Sequence, residues 1–361
     1  MNHKQGLFSK SDTTYFKGIG ILLIFIHNYF HLKGTYNIQN EIAFKPDNIW
    51  AFFNLFTKFN ITDWIGGIFG FLGHYGVQIF IFFSAYGLSI QYSKWEQSKI
   101  KFVIKRLKKI YLLLAFGIVY WLISKPFIGA VDNFNGFVMQ SIYLATSIGN
   151  ITRATVYSMF SGPFWFFALV IQLYVLFPLI YRYTIEISKT SKWLPLGGVL
   201  ALLYLLYFTI NLHKYALFGT VIGHLPEVIL GVTMAHFKIK SFSPPILIAA
   251  TLIFIGSQFL EVLFPLSFIS MTILLIHIVS FLEQKSSLNL KKFILFTGTI
   301  SMMLFIFNGT LRFYPLFMED GKIQIFRFLI FVPILYVISY PSYLLFNYLS
   351  RLLFQRSSKN K

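Results

Sequence analysis

The sequence predicts an all-α, polytopic membrane protein with about ten transmembrane helices and both termini in the cytoplasm. The prediction depends on three observations: 56% of the 361 residues are hydrophobic, only 12% are charged, and long apolar runs recur along the chain. Soluble domains are close to half apolar and about one quarter charged, so this composition indicates a chain embedded in lipid. No long polar segment interrupts the runs, and residues 1–361 are therefore predicted to form a single membrane domain.

A helix of roughly 17–25 apolar residues crosses a bilayer core, which is about 30 Å thick. The candidate spans are residues 16–33, 68–92, 108–128, 161–182, 193–211, 215–237, 244–260, 266–283, 293–312 and 325–349. The first run lacks a small-residue cleavage site, which favours a retained helix over a signal peptide. Two long loops, 34–67 and 129–160, contain apolar segments that we expect to lie at the membrane surface or to re-enter it.

The basic residues indicate how the chain is oriented. The formal net charge is +19, and the lysines and arginines form short clusters between apolar runs. This is the pattern of membrane topology rather than of nucleic-acid binding, so no nucleic-acid partner is predicted. With ten spans, the side that carries both termini also carries most of the basic residues, which places the termini in the cytoplasm. Cysteine is absent, which excludes disulfides, thiolate nucleophiles and cysteine-ligated metals.

The first span, KGIGILLIFIHNYFHLK, contains two histidines within an apolar run. His27 lies ten residues after Lys17, about 15 Å along a helix and close to the middle of the membrane. An ionisable side chain there is costly, so His27 is a candidate functional residue. His31 lies one turn further on the same helix face and can equally be a hydrogen-bonded core residue. Two histidines at this spacing can bind a metal, but no third ligand is evident, and no metal site is predicted.

The second and third spans contribute a serine and a basic cluster. Ser84 lies in GVQIFIFFSAYGLSIQ, where small residues allow close helix packing. The cluster KIKFVIKRLKKIY follows directly. It can anchor the helix ends against anionic lipid, or it can hold the phosphates of an anionic co-substrate. The residues considered for that second role are Lys105, Arg106, Lys108 and Lys109.

Several polar or aromatic residues interrupt the later spans and are candidates for contact with the substrate. An alternative interpretation of Trp165 is an anchor at the membrane interface. Gln172 needs a hydrogen-bond partner inside its span. Glu227 is a carboxylate within an apolar run close to His224, which makes it a functional candidate or one half of a structural pair. Asn308 lies in the stretch GTISMMLFIFNGTLRFYP.

Taken together and in this order, these stretches resemble the acyltransferase 3 family of bacterial membrane acyltransferases over nearly the whole chain. Further matching stretches are KFVIKRLKKIYLLL, LPEVILGVTMAHF and GTISMMLFIFNGTLR. The individual residues that match the family pattern are Lys17, Gly18, His27, Gly76, Val77, Phe80, Ser84, Trp165, Tyr174 and Pro178.

Three positions depart from the family pattern. The basic residue before the family histidine is usually Arg with ten intervening residues, whereas nine residues separate Lys17 from His27. Many members have an acidic residue between the Trp and the Tyr, and Gln172 lies in that region here. The late motif often ends in His, and Asn308 takes its place.

The resemblance implies transfer of an acyl group, most often acetyl, from cytoplasmic acyl-CoA to a hydroxyl of a cell-envelope glycan or lipid-linked sugar. Acyl-CoA is then a co-substrate, no cofactor is bound permanently, and the location is the bacterial cytoplasmic (inner) membrane, in contact with membrane lipid. His27 is expected to act as general base. Ser84, Asn28 or Asn308 is expected to donate to the oxyanion, and the basic cluster with Lys17 to bind the acyl-CoA phosphates. His31, Trp165, Gln172 and Glu227 are expected near the acceptor.

Two other functions suit parts of the same pattern. An exporter or flippase for a polysaccharide or lipid-linked sugar would also use intramembrane His, Glu and aromatic residues, with the basic cluster as a topology signal only. A polymerising glycosyltransferase is a third option, but it would be expected to carry more charged residues in large outer loops. Binding or hydrolysis of acyl-CoA by the purified protein separates these options.

Overall fold

The computed structural model describes residues 6–32, 34–57, 60–129, 134–156, 162–318 and 324–355. This part of the chain is all-helical, as predicted, with one isolated bridge between Thr152 and Tyr215 and no strand. The helices are α1 (Lys10–His31), α2 (Asp47–Phe56), α3 (Ile61–Leu72), α4 (Gly76–Tyr92), α5 (Lys99–Ser124), α6 (Phe134–Thr146), α7 (Trp165–Ser188), α8 (Leu194–Thr209), α9 (Leu225–His236), α10 (Pro244–Phe259), α11 (Ser267–Lys285), α12 (Leu288–Thr299), α13 (Ser301–Leu311), α14 (Pro315–Met318) and α15 (Gln324–Gln355).

Within the described residues, five helices are long and apolar enough to cross a membrane, compared with the ten predicted. They are Ile61–Tyr92, Lys99–Phe127, Trp165–Ser188, Glu261–Lys285 and Gln324–Phe354. The pair α12 and α13 passes the same test when taken together, although the two are bent by 72°. Helices α8, α9 and α10 are apolar but shorter. The number ten and the cytoplasmic location of both termini therefore stay predictions.

Two candidate spans are interrupted where the apolar pattern suggested one continuous helix. The stretch 215–237 contains a 3₁₀ segment, Leu217–Gly219, before α9 begins at Leu225. Pro226 occupies the first turn of α9, where its missing N–H is not needed. The stretch 293–312 is broken at Ile300, between α12 and α13. Apolar residues predominate in both stretches, so a hydropathy window does not detect the breaks.

The loop predicted over 34–67 contains helical structure of its own. Its segment IWAFFNLF lies in α2, and α3 already begins at Ile61. Helix α3 then continues through the 3₁₀ segment Gly73–Tyr75 into α4. Residues 68–92 are therefore only the later part of a longer helical unit, and α2 and α3 pack against each other.

Helix α1 packs against α3, α4, α12 and α13. The approach is close on two sides because glycines lie at the contacts. A Cβ atom on Gly76 would lie 2.5 Å from the carbonyl oxygen of Gly20, and one on Gly298 would overlap the carbonyl oxygen of Thr14. These contacts allow backbone to lie against backbone, so α1 is held at a fixed depth among its neighbours.

Replacing Gly298 by alanine is expected to destabilise the protein by about 1–3 kcal/mol, because the added methyl group has no space beside α1. The measurement is the thermal unfolding midpoint of the purified protein in detergent. Gly197→Ala is the matched control, since Gly197 is also helical but a Cβ atom there would meet no packing neighbour within 4 Å. That control should be neutral or stabilising, because alanine favours a helix more than glycine does. Equal midpoints for the two variants would contradict the close-packing argument.

Candidate active site

The imidazole of His27 is buried at the centre of the bundle. Its side chain is 3% exposed, and its Nδ1 lies 2.9 Å from the carbonyl oxygen of Phe69 in α3. A carbonyl oxygen can only accept, so Nδ1 carries the hydrogen of the neutral ring and Nε2 keeps its lone pair. Gly73 lies against the same residue, because a Cβ there would be 2.6 Å from the His27 Cβ. The ring is thus fixed in both tautomer and position.

Two further imidazoles lie beside His27. The ring of His31 stacks on it at a centroid distance of 5.1 Å, and the ring of His74 lies 5.6 Å away. His74 is buried in the short segment between α3 and α4 and was not among the residues predicted from the sequence. Only its tertiary contact with His27 identifies it. The described residues contain no group of three or more His, Asp and Glu side chains arranged to hold a metal ion.

Asn28 and Asn308 connect α1 to α13. The Nδ2 of Asn28 donates to the Oδ1 of Asn308 over 2.9 Å. The Nδ2 of Asn308 donates to the carbonyl oxygens of Leu304 and Phe305, at 2.9 and 2.6 Å. Both amide hydrogens of Asn308 are therefore directed at its own helix. In this arrangement Asn308 serves as a bridge between helices and has no hydrogen left for an oxyanion.

Arg312 strengthens the same connection one turn later. Its Nη1 donates to the carbonyl oxygen of Asn28 over 2.7 Å, and its Nε lies 3.3 Å from the carbonyl oxygen of Gly309. The side chain is buried. A guanidinium has five donors in a rigid plane, so it can bond two backbone segments together.

Two adjoining cavities of about 270 and 240 Å³ lie on one side of His27. Both are lined by Lys17, Ser84, Arg106, Lys109 and Tyr174, and we call them together the basic cavity. The rest of the larger cavity's lining is mostly apolar and includes residues at the break between α12 and α13.

Not all of the residues predicted to bind phosphate line the basic cavity. Lys105 lines the smaller of its two parts. Lys108, in contrast, is exposed and lines neither part. The guanidinium of Arg106 is held in place by the carbonyl oxygen of Phe102 and by Oε1 of Gln91, each at 2.9 Å. Arg106 is therefore the most rigidly positioned cation of the cluster.

A cavity of about 440 Å³ lies at the other end of α1. We call it the polar cavity, and its lining includes His31, Asn37, Gln39, Glu41, Lys45 and Arg153. The Nδ1 of His31 lies 3.0 Å from Oε1 of Gln39. Along α1, His27 therefore lies about 15 Å beyond Lys17 of the basic cavity and about 6 Å before His31 of the polar cavity.

The other residues predicted near the substrate line neither cavity. Trp165 is 5% exposed and packs within the aromatic core, so it is not an interfacial anchor. The amide of Gln172 donates to the carbonyl oxygen of Ser147 and to Oδ1 of Asn150, both at 2.8 Å, which supplies the partner that its position requires. Oε2 of Glu227 lies 3.5 Å from Nδ1 of His224 in a buried pair.

Comparison with known protein families identifies the chain. A family model described as an acyltransferase domain matches residues 12–352 of the 361. The chain belongs to the acyltransferase 3 family. It is therefore an acyltransferase, and its long apolar helices indicate a membrane protein. Searches of curated proteins and of solved structures gave no significant match.

The bridge between Asn28 and Asn308 predicts coupled stability. Asn28→Ala leaves the buried Oδ1 of Asn308 without its donor, and Asn308→Ala leaves the half-buried amide of Asn28 without its acceptor; each change is expected to cost about 1–3 kcal/mol. The double variant should lose less than the sum of the single losses, by about 0.5–3 kcal/mol, since both changes remove one interaction. Unfolding midpoints of the four proteins in one detergent give the coupling. Additive losses would contradict the bridge.

Proposed function

We propose that this membrane acyltransferase moves an acyl group, acetyl in the simplest case, from cytoplasmic acyl-CoA to a hydroxyl group of a cell-envelope glycan or lipid-linked sugar. One observation carries the proposal. His27 lines neither cavity, but it lies on α1 between Lys17 of the basic cavity and His31 of the polar cavity. Its Nδ1 is bound to the Phe69 carbonyl, which leaves Nε2 as the basic nitrogen. An anionic donor and a hydroxyl acceptor that enter from opposite ends would meet at this ring.

The basic cavity suits the donor. Acyl-CoA carries phosphates, and Lys17, Lys105, Arg106 and Lys109 supply four cations along the cavity wall. Cations paired with phosphate form the stronger, charge-assisted class of hydrogen bond. The apolar lining of the larger part suits the pantetheine arm, which would extend from the cavity toward His27. The excess of basic residues at this end supports a cytoplasmic location for the cavity, in the bacterial inner membrane.

The polar cavity suits the acceptor. Its amide, imidazole and charged side chains are hydrogen-bonding groups of the kind that sugar hydroxyls require. His31 lies in this wall and stacks on His27, so an acceptor bound there has its hydroxyl groups next to the base. We place His31 among the acceptor ligands rather than among the groups that transfer protons.

The reaction follows from these positions. The acceptor oxygen attacks the thioester carbonyl carbon while Nε2 of His27 takes the hydroxyl proton. The tetrahedral intermediate then collapses, the carbon–sulfur bond breaks, and the departing CoA thiolate takes the proton back from the imidazolium. Ester and free CoA are the products, with no net change in protons. Ser84 lines the basic cavity beside Lys17, eleven residues beyond the glycine that contacts His27, so it lies roughly 15 Å from the base and suits contact with the donor rather than with the oxyanion. Asn28, adjacent to His27 on α1, has a second amide hydrogen besides the one given to Asn308 and is the proposed donor to the oxyanion.

Replacing His27 by alanine should lower acyl transfer by about 10²–10⁴-fold, which is the usual contribution of a general base. The measurement is O-acylation of surface glycan in cells that contain equal amounts of each protein in the membrane. His213→Ala is the control, because His213 is an exposed histidine that lines neither cavity. Full O-acylation by the His27→Ala variant would rule out this residue as the base.

Replacing Arg106 or Lys109 by glutamine should weaken acyl-CoA binding by about tenfold each, since each change removes one charge-assisted contact. Lys108→Gln is the matched control, because it removes the same charge from the same helix outside the cavity. The dissociation constant of acetyl-CoA for the purified protein is the measurement. An equal loss for Lys108→Gln would show a general effect of surface charge and not a binding site.

A further inference from the structure

A cavity of about 600 Å³ lies at the same end of α1 as the basic cavity but shares no lining residue with it. Its walls come from the start of α1, the segment between α9 and α10, the last turns of α11 and the first turn of α12. We call it the α1–α11 cavity. The lining residues that matter here are Asp12, Lys240, Ile276, Phe281, Glu283 and Lys291.

The charges of the α1–α11 cavity are balanced. Nζ of Lys240 lies 3.5 Å from Oδ2 of Asp12, and Nζ of Lys291 lies 2.9 Å from Oε1 of Glu283. The side chain of Glu283 is only 13% exposed. The cavity thus presents two cations and two anions, whereas the basic cavity presents an excess of cations.

Asp12 is held as an anion at the polar start of α1. The backbone N–H of Ser9 donates to its Oδ2 over 3.0 Å, and the Ser9 hydroxyl bonds the other oxygen. Partial burial acts to raise the pKa of Asp12, but the bonds from Ser9 and the charge of Lys240 outweigh it and hold the pKa below its ordinary value. Asp12 is therefore an anion at neutral pH, with Lys240 as its cationic neighbour in the cavity.

The position of the cavity indicates a ligand that comes from the membrane. Helix α11 belongs to the candidate span Glu261–Lys285, and the cavity is lined by the final turns of that span. Lipid headgroups lie at this level, where a spanning helix leaves the hydrocarbon core. Phe281 lines the cavity and is 55% exposed, and Ile278, one turn before it, is 47% exposed. The charged cavity is therefore adjacent to an apolar helix face that suits an acyl chain.

We propose that the α1–α11 cavity binds a phospholipid whose zwitterionic headgroup carries both a phosphate and a primary ammonium group. Lys240 and Lys291 are the partners of the phosphate, and Asp12 and Glu283 are the partners of the ammonium. The acyl chains lie along Phe281 and the outer face of α11.

The balance of charge favours this ligand over others of similar size. A nucleotide or another polyanion would meet the carboxylates of Asp12 and Glu283 together with the lysines, and like charges at close range are unfavourable. An anionic phospholipid without an amine would draw the lysines away from Asp12 and Glu283 and leave both carboxylates without a cation. A phosphate and an ammonium on one headgroup match both pairs. The inference is independent of the proposed acyl-transfer reaction, since no residue of that site is used.

The test compares two phospholipids with identical acyl chains, phosphatidylethanolamine and phosphatidylglycerol. The full-length protein is delipidated in detergent, each lipid is titrated in, and native mass spectrometry gives the dissociation constant of the first lipid bound. We expect phosphatidylethanolamine to bind about tenfold more tightly, because only its ammonium reaches a carboxylate partner. Equal affinities, or tighter binding of phosphatidylglycerol, would overturn the proposal.

Two variants and a control assign the site. Lys291→Gln should weaken both lipids about tenfold, because both carry the phosphate, whereas Glu283→Gln should weaken phosphatidylethanolamine alone and remove the preference. Lys292→Gln is the control, since Lys292 is exposed and does not line the cavity. Unfolding midpoints equal to that of the unaltered protein verify that each variant is folded before its lipid affinity is compared. Unaltered lipid preference in Glu283→Gln, or an equal loss in Lys292→Gln, would overturn the assignment.

Discussion

The close approach of α1 to its neighbours is the constraint on which the site depends. Gly20 and Gly76 allow backbone contact with α4, and Gly298 allows it with the start of α1. Because backbone atoms cannot be displaced as a flexible side chain can, these contacts fix the depth and rotation of α1. The depth of His27, its distance from the basic cavity and its contact with α3 all follow from that one placement.

The partner of His27 is a neutral backbone carbonyl rather than a carboxylate. The oxygen of Phe69 selects the tautomer and the orientation of the ring, as an aspartate does in a catalytic triad, but it brings no negative charge. Its neighbours His31 and His74 are imidazoles, and Arg312 lies on the adjoining helix turn. This environment suits a base that takes a proton briefly and returns it to the leaving group, as the proposed reaction requires.

The basic cavity and the α1–α11 cavity lie at the same end of α1 and differ in their balance of charge. The basic cavity combines several cations with apolar walls, which suits an anionic, partly apolar donor. The α1–α11 cavity pairs each lysine with a carboxylate and lies beside the exposed face of α11, which suits a zwitterionic lipid. The net charge of +19 says nothing about this difference, because it is the local pairing of charges that distinguishes one ligand from another.

The sequence by itself determined the all-helical class and the family, and it singled out His27 as a candidate, because composition, ordered motifs and an ionisable residue in an apolar run are local signals. It did not reveal the break at Ile300 or the short α9, since both lie in stretches that are apolar overall. Nor did it reveal His74, the carbonyl partner of His27 or the exposure of Lys108. Only the tertiary structure decided these, because neighbours such as Phe69 and His27 are 42 positions apart in the chain and meet through the packing of α3 on α1.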